Sequence, residues 1–190
     1  MVLATSVPNV GAIVVSEYSA GLAWLSTNVE ANRSRFRCPL EVCECDWQWF
    51  LPGADADERA LARGVVDRGW DLVLGSDLVY NEIGVNGLPR CIAALANACP
   101  CILYAHTLHR FDDNDVSFFA NLHWNGLVYR EVSADCAGDE GPAKDGRSSS
   151  PPPFSELFPE QRQAVFRISR DPGMLGGPPD DRHSVAIYDT

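Results

Sequence analysis

A single α/β domain with a doubly wound, mostly parallel sheet is the fold this chain's sequence predicts, and three observations lead to it. Short apolar, partly β-branched runs alternate with segments of helical periodicity. One run, Leu72, Val73 and Leu74 on the way to Asp77, is continuous rather than alternating, as a strand buried on both faces of a parallel sheet should be. The 190 residues suit one hydrophobic core, since domains typically hold about 100 to 200 residues.

The elements follow in order. Ala12 to Val15 reads as a strand that ends at Glu17 and passes through Ser19 into a helix, where Leu22, Leu25 and Val29 share one face. Leu40 to Cys45 is a second strand, closed by Asp46 and Trp47; after a loop with Pro52 and Gly53, Glu58 to Val66 is a short helix. The strand ending at Asp77 leads into DLVYNE, Leu88 to Ala98 is helical, and Cys101 to Ala105 is the next strand. Asp115 to Asn125 is a helix that opens with acidic residues, favourable at the positive end of its dipole, and Gly126 ends it before the strand Leu127 to Val132. Residues 134–153, poor in large apolar side chains and rich in Gly, Ser, Pro and Asp, predict a flexible insertion. Ala164 to Ser169 and, across a Gly/Pro-rich linker at 171–183, Ser184 to Asp189 are two candidates for the strand that completes the sheet.

Composition narrows the function. Apolar residues make up 46% and charged residues 22%, the proportions of a soluble globular protein. No apolar run approaches the roughly 20 residues of a membrane span. The opening MVLATSVPNVGAIVV lacks a basic n-region, so no secretory signal is expected and the cytosol or nucleus is. A net charge of −11 without a basic stripe argues against nucleic acid as a partner. The seven cysteines form no CxxC pair; Cys43 and Cys45, and Cys99 and Cys101, read as small buried hydrophobes and reduced thiols rather than metal ligands or disulfides. No metal is expected.

Glu17, Asp46 and Asp77 each follow one of the first three strands. In open α/β sheets ligands bind beyond the carboxyl ends of strands, so these acids, with Trp47, Ser76 and Tyr80, are the residues to inspect. The pattern suits a nucleoside: one carboxylate accepts the ribose hydroxyls, another meets an exocyclic amine, and an indole covers a ring face. Singly, each acid reads more readily as a turn former or helix cap than as a ligand-binding group. His106 and His109 read as satisfied surface or loop residues.

Taken together and in order, GAIVVSEYSAGLAWLSTNVEAN, LEVCECDW, WDLVLGSDLVYN and AHTLHRFDDNDVSFFANLHWNGLVYREV resemble the family 16 methyltransferases, a seven-strand group containing many protein-lysine methyltransferases. The resemblance covers roughly residues 10 to 132, with FPEQRQAVFRIS as a weaker continuation. Its most specific piece is the DxxY signature at Asp77-Leu-Val-Tyr80. It implies a Rossmann-like fold, S-adenosylmethionine as cofactor and a lysine-bearing protein as substrate. By position it implies that Glu17 holds the cofactor ribose, that Asp46 and Trp47 line the adenine, that Ser76 touches the cofactor, and that the catalytic pair Asp77 and Tyr80 meets the incoming amine. A small-molecule amine as acceptor, or a non-catalytic binding module derived from the fold, remains the alternative.

The resemblance also implies a domain lacking its first strand. Members of the family place a strand and a glycine-rich turn ahead of the helix that leads into the segment matched here by GAIVV. That strand belongs between those ending at Glu17 and Asp77, so the two edges are expected either to re-pair with each other or to leave a row of peptide groups unsatisfied, at about 1 to 3 kcal/mol for each buried orphan. This form alone is expected to bind cofactor weakly or not at all.

Overall fold

The computed structural model of the chain describes residues 9–109, 112–132 and 162–174. The expected insertion, most of the linker at 171–183 and the run from Ser184 to Asp189 lie outside the described residues. The elements are β1 (Ile13–Glu17), α1 (Leu22–Ala31), β2 (Leu40–Glu44), α2 (Ala56–Val66), β3 (Val73–Ser76), α3 (Glu82–Leu95), β4 (Ile102–Leu108), α4 (Asp112–Trp124), β5 (Leu127–Glu131) and β6 (Arg162–Arg170). The α/β class is the one the sequence predicts.

Local chemistry fixes the helix ends. At α2, Asp55 Oδ1 accepts from the amides of Asp57 and Glu58, both at 2.9 Å, and Glu58 Oε2 accepts from the Asp55 amide at 2.8 Å, a reciprocal capping box. The helix α3 begins at Glu82, earlier than the Leu88 expected from periodicity, because Asn81 Oδ1 accepts from the Gly84 amide at 2.9 Å. Pro89 lies inside this helix. Having no N–H, it leaves the Val85 carbonyl without its usual donor, and Asn121 Nδ2 of α4 donates to that carbonyl at 3.0 Å.

The strands form two sheets. In one, β1 and β2 pair in parallel; in the other the order is β3-β4-β6-β5, with β3 and β4 parallel and β6 antiparallel to both its neighbours. Of the two outcomes expected for the strands ending at Glu17 and Asp77, re-pairing is not the one taken: among the described residues the edges of β1 and β3 do not pair with each other. The run from Ala164 to Ser169 supplies the antiparallel strand of the larger sheet.

Alternation in β4 and β6 separates the faces of the larger sheet. Ile102, Tyr104, Ala164, Phe166 and Ile168 pack under Val85, Leu88 and Ile92 of α3 and Phe118 and Leu122 of α4, forming the main core. The other face carries Leu74, 49% exposed, with half-buried Leu103 and Val165 and exposed Arg167. Arg170, at the end of β6, ties the core helices together: it donates to Asn97 Oδ1 at 2.9 Å, to the Asn125 carbonyl at 3.0 Å and to the Ala93 carbonyl at 2.6 Å. A guanidinium suits carbonyls left over at helix C-termini.

Candidate active site

The candidate residues lie at the carboxyl ends of β1, β2 and β3. Glu17 closes β1, and the Cys45 amide donates to its carbonyl at 3.0 Å, so the exits of β1 and β2 lie side by side. The Glu17 carboxylate folds over the following turn, where Oε1 accepts from the Tyr18 amide at 3.0 Å. Gly21 makes this fit, since a Cβ there would collide with the Glu17 side chain. Asp46 acts as the N-cap of the short turn Trp47–Phe50, its Oδ1 accepting from the Gln48 amide at 2.9 Å. The capping reading of this acid is therefore realised. Trp47 is half-buried against the core.

At the exit of β3, Ser76 is exposed and Asp77 takes a left-handed conformation, with φ of 49°. Few side chains tolerate that region, and aspartate is among them. The Asp77 amide donates to the Ala105 carbonyl at 3.0 Å, extending the ladder to β4. Its carboxylate then reaches across to β4, accepting from the Thr107 amide at 2.7 Å and from Thr107 Oγ1 at 3.0 Å. Tyr80, 54% exposed, ends the turn.

Helix α3 brings these two groups together. A Cβ at Gly84 would stand 2.9 Å from the Leu78 carbonyl, and one at Gly87 would stand 2.7 Å from the Trp47 carbonyl. The two glycines lie three apart, on one helix face, about 4.5 Å along the axis. One turn further on, the Cys91 thiol hydrogen-bonds that of Cys45; this bond and burial push Cys91 well up, while the same bond lowers Cys45. One face of α3 thus runs along the turn after Asp77, the backbone of Trp47 and the end of β2. Periodicity starting the helix at Leu88 leaves both glycines outside it, so this arrangement is not legible from the sequence pattern.

A second group of residues underlies the turn. Tyr104, on β4, lies across β3 where Gly75 leaves room: a Cβ there would be 2.9 Å from the Tyr104 ring. The Tyr104 hydroxyl accepts from the Leu78 amide at 3.1 Å, and burial pushes its ionisation well above the usual tyrosine range. Its oxygen is 3.3 Å from His106 Nδ1; His106 Nε2 is 2.8 Å from Asp115 Oδ1; and Asp115 Oδ2 accepts from the His109 amide at 3.0 Å. His106, expected at the surface or in a loop, is a buried β4 residue, because the alternation of β4 directs it to the core face with Tyr104. His109 occupies a left-handed position just after β4.

Cys38, Cys43, Cys45, Cys91, Cys99 and Cys101 are all free thiols, and among the described residues no group of three or more His, Cys, Asp or Glu side chains is arranged to hold a metal ion. No helix among the described residues is long and apolar enough to cross a membrane.

Comparison with known families settles the relationship. The model of the lysine methyltransferase family matches residues 1–125, well over half of the chain. The chain belongs to that family. The match spans β1 through α4 and so includes Glu17, Asp46, Trp47, Ser76, Asp77 and Tyr80. The larger sheet, with its antiparallel strand between β4 and β5, agrees with a Rossmann-like methyltransferase fold. No curated protein matches the chain.

Proposed function

We propose that this domain is an S-adenosylmethionine-dependent N-methyltransferase whose acceptor is a lysine amine on a protein. Family membership supports the reaction class, and one structural observation carries the assignment to this site: the Gly84–Gly87 face of α3 holds the Trp47 backbone and the Asp77–Tyr80 turn against a single helix face. A nucleoside side and an acceptor side are thereby neighbours.

The donor chemistry fits the nucleoside half of the cofactor. The Glu17 carboxylate spends only Oε1, on the Tyr18 amide, and makes no other hydrogen bond with a described residue, leaving acceptor capacity for a ribose diol. Asp46 and the Trp47 indole, at the neighbouring exit of β2, are assigned to the adenine, and Ser76, exposed at the end of β3, to the cofactor's flank. The cofactor, when bound, supplies an already activated methyl group, so the protein's work is to orient a neutral amine. Tyr80, at the open end of the turn, is assigned to meet that amine, and Asp77 to act beside it with its carboxylate held in place by Thr107. The acidic character of the chain, with net charge −11, favours a lysine-bearing partner over nucleic acid, and the cytosol or nucleus is the proposed setting.

The test is incubation of the chain with S-adenosylmethionine and mixed protein and small-amine acceptors, read by mass spectrometry. A one-methyl mass increase on lysine supports the proposal. The same increase confined to small amines moves the acceptor class. No transfer at all, with a biological effect that survives Asp77→Ala, points instead to a binding module.

A further inference from the structure

The buried chain Asp115–His106–Tyr104 has a fixed direction. A carboxylate oxygen only accepts, so the proton of the imidazole sits on Nε2, which donates to Asp115 Oδ1 at 2.8 Å. In the neutral ring that leaves Nδ1 as an acceptor facing the Tyr104 oxygen at 3.3 Å. Burial keeps the Tyr104 hydroxyl protonated, so it donates to Nδ1 while its oxygen accepts from the Leu78 amide at 3.1 Å. Asp115 is fixed at its far oxygen by the His109 amide. The members come from β4 and α4, they are almost fully buried, and they end on the backbone between Asp77 and Tyr80, which belongs to no strand or helix, with the Leu78 amide as the hydrogen-bond donor to Tyr104 and Val79 beside it.

Structural need alone explains this arrangement poorly. An apolar residue at position 106 would fill the same space among Phe118 and Phe119 without burying a histidine and a carboxylate, which cost free energy unless every partner is met. The partners are met, and the Leu78 amide is the outlet.

We infer that Asp115, His106 and Tyr104 are an oriented hydrogen-bond relay that clamps the Leu78 amide and so holds Tyr80 at the acceptor side of the site, making Tyr104 and His106 positioning residues. The clamp is a property of the chain; its effect on turnover rests on the proposed methyl transfer. Donation to the histidine polarises the tyrosine hydroxyl and strengthens its grip on the amide. Two glycines make room for the clamp: Gly75 lets the Tyr104 ring cross β3, and Gly84 lets α3 close over the Leu78 carbonyl. With Asp77 held by Thr107, the first two residues of the turn are fixed from β4, and Tyr80 is carried on a rigid base.

The test uses the full chain and its Tyr104→Phe variant, which keeps the ring and removes only the hydroxyl. Amide hydrogen exchange at Leu78 is expected to rise about tenfold in the variant, while the Ala96 amide, bonded to the Ile92 carbonyl at 2.8 Å in the core helix, keeps its protection. Nitrogen NMR of the parent chain should show His106 protonated at Nε2. In His106→Gln, whose amide can still reach Asp115, Leu78 exchange should rise less than in Tyr104→Phe; this second variant decides the matter if the first does not fold. With S-adenosylmethionine and a lysine-rich peptide as the probe, Tyr104→Phe should lower kcat about ten- to a hundredfold and leave the KM for S-adenosylmethionine unchanged. Unaltered Leu78 exchange in the folded variants, or a His106 protonated at Nδ1 alone, overturns the relay. A parent chain that transfers no methyl group overturns the proposed function instead, and the exchange result still decides the clamp.

Discussion

The two sheets of this chain are made from similar letters and end in different environments. In β1 (IVVSE) and β2 (LEVCE) no strand residue is fully buried, whereas β4 (ILYAHTL) and β6 (RQAVFRISR) bury every residue of their core face from Ile102 to His106 and from Ala164 to Ile168. Hydrophobicity does not make this difference; neighbours do. β4 is paired on both edges and roofed by α3 and α4, while among the described residues β1 has one partner strand and α1 for cover. Burial is a property of the assembly, and stability should follow it.

The largest expected effect is therefore in the larger sheet. Phe118, fully buried where α4 packs on the larger sheet, should cost about 3–5 kcal/mol as Phe118→Ala, against about 1 kcal/mol for Val15→Ala in half-buried β1; denaturant unfolding of the two variants measures the gap, and equal losses would break the comparison. Next is the seam between the regions. Gly87→Ala places a Cβ 2.7 Å from the Trp47 carbonyl and 3.0 Å from its Cβ, so a loss of about 1–3 kcal/mol is expected together with a changed Trp47 fluorescence. A third test separates the sheets by pH. Tyr104 is raised in the folded state, so its contribution is complete below the ordinary tyrosine range, near pH 10, and declines as pH climbs through the folded value. Alkaline unfolding of the parent should be steeper than that of Tyr104→Phe. The smallest effect belongs to the periphery of the two-stranded sheet: Glu41→Ala removes the exposed 2.7 Å pair with Arg68 and should change stability by less than about 1 kcal/mol in thermal melts.

What the sequence conveyed was local. Periodicity over a few residues located the six strands and four helices of the described residues, because each buries a face whose spacing is written in the chain. Strand exits likewise pointed to Glu17, Asp46 and Asp77, since the parallel arrangement forces ligands toward them. The partners of those acids depend on turns and distant residues. Asp46 is taken by its own turn and Asp77 by Thr107, thirty positions away. Helix α3 shows the same limit. Gly84, Gly87 and Pro89 are poor helix formers by propensity, and their presence makes sense only once Trp47, Leu78 and Asn121 are in place around them. His106 reads as a surface residue until Asp115 and Tyr104 close around it. Two strand candidates near the C-terminal end could not be ranked for a related reason: the pairing of Ala164 to Ser169 with β4 and β5 is not reported by any local signal, and Ser184 to Asp189 lies outside the described residues.

Pro89 has a consequence for how the molecule comes together. Its helix can be formed alone only with one carbonyl starved of a donor, and the missing donor is an amide side chain on the helix that follows β4. The two helices should therefore open and close as one unit: their slowest-exchanging amides should share a single opening rate, and substituting Asn121 should loosen α3, the helix it is not part of.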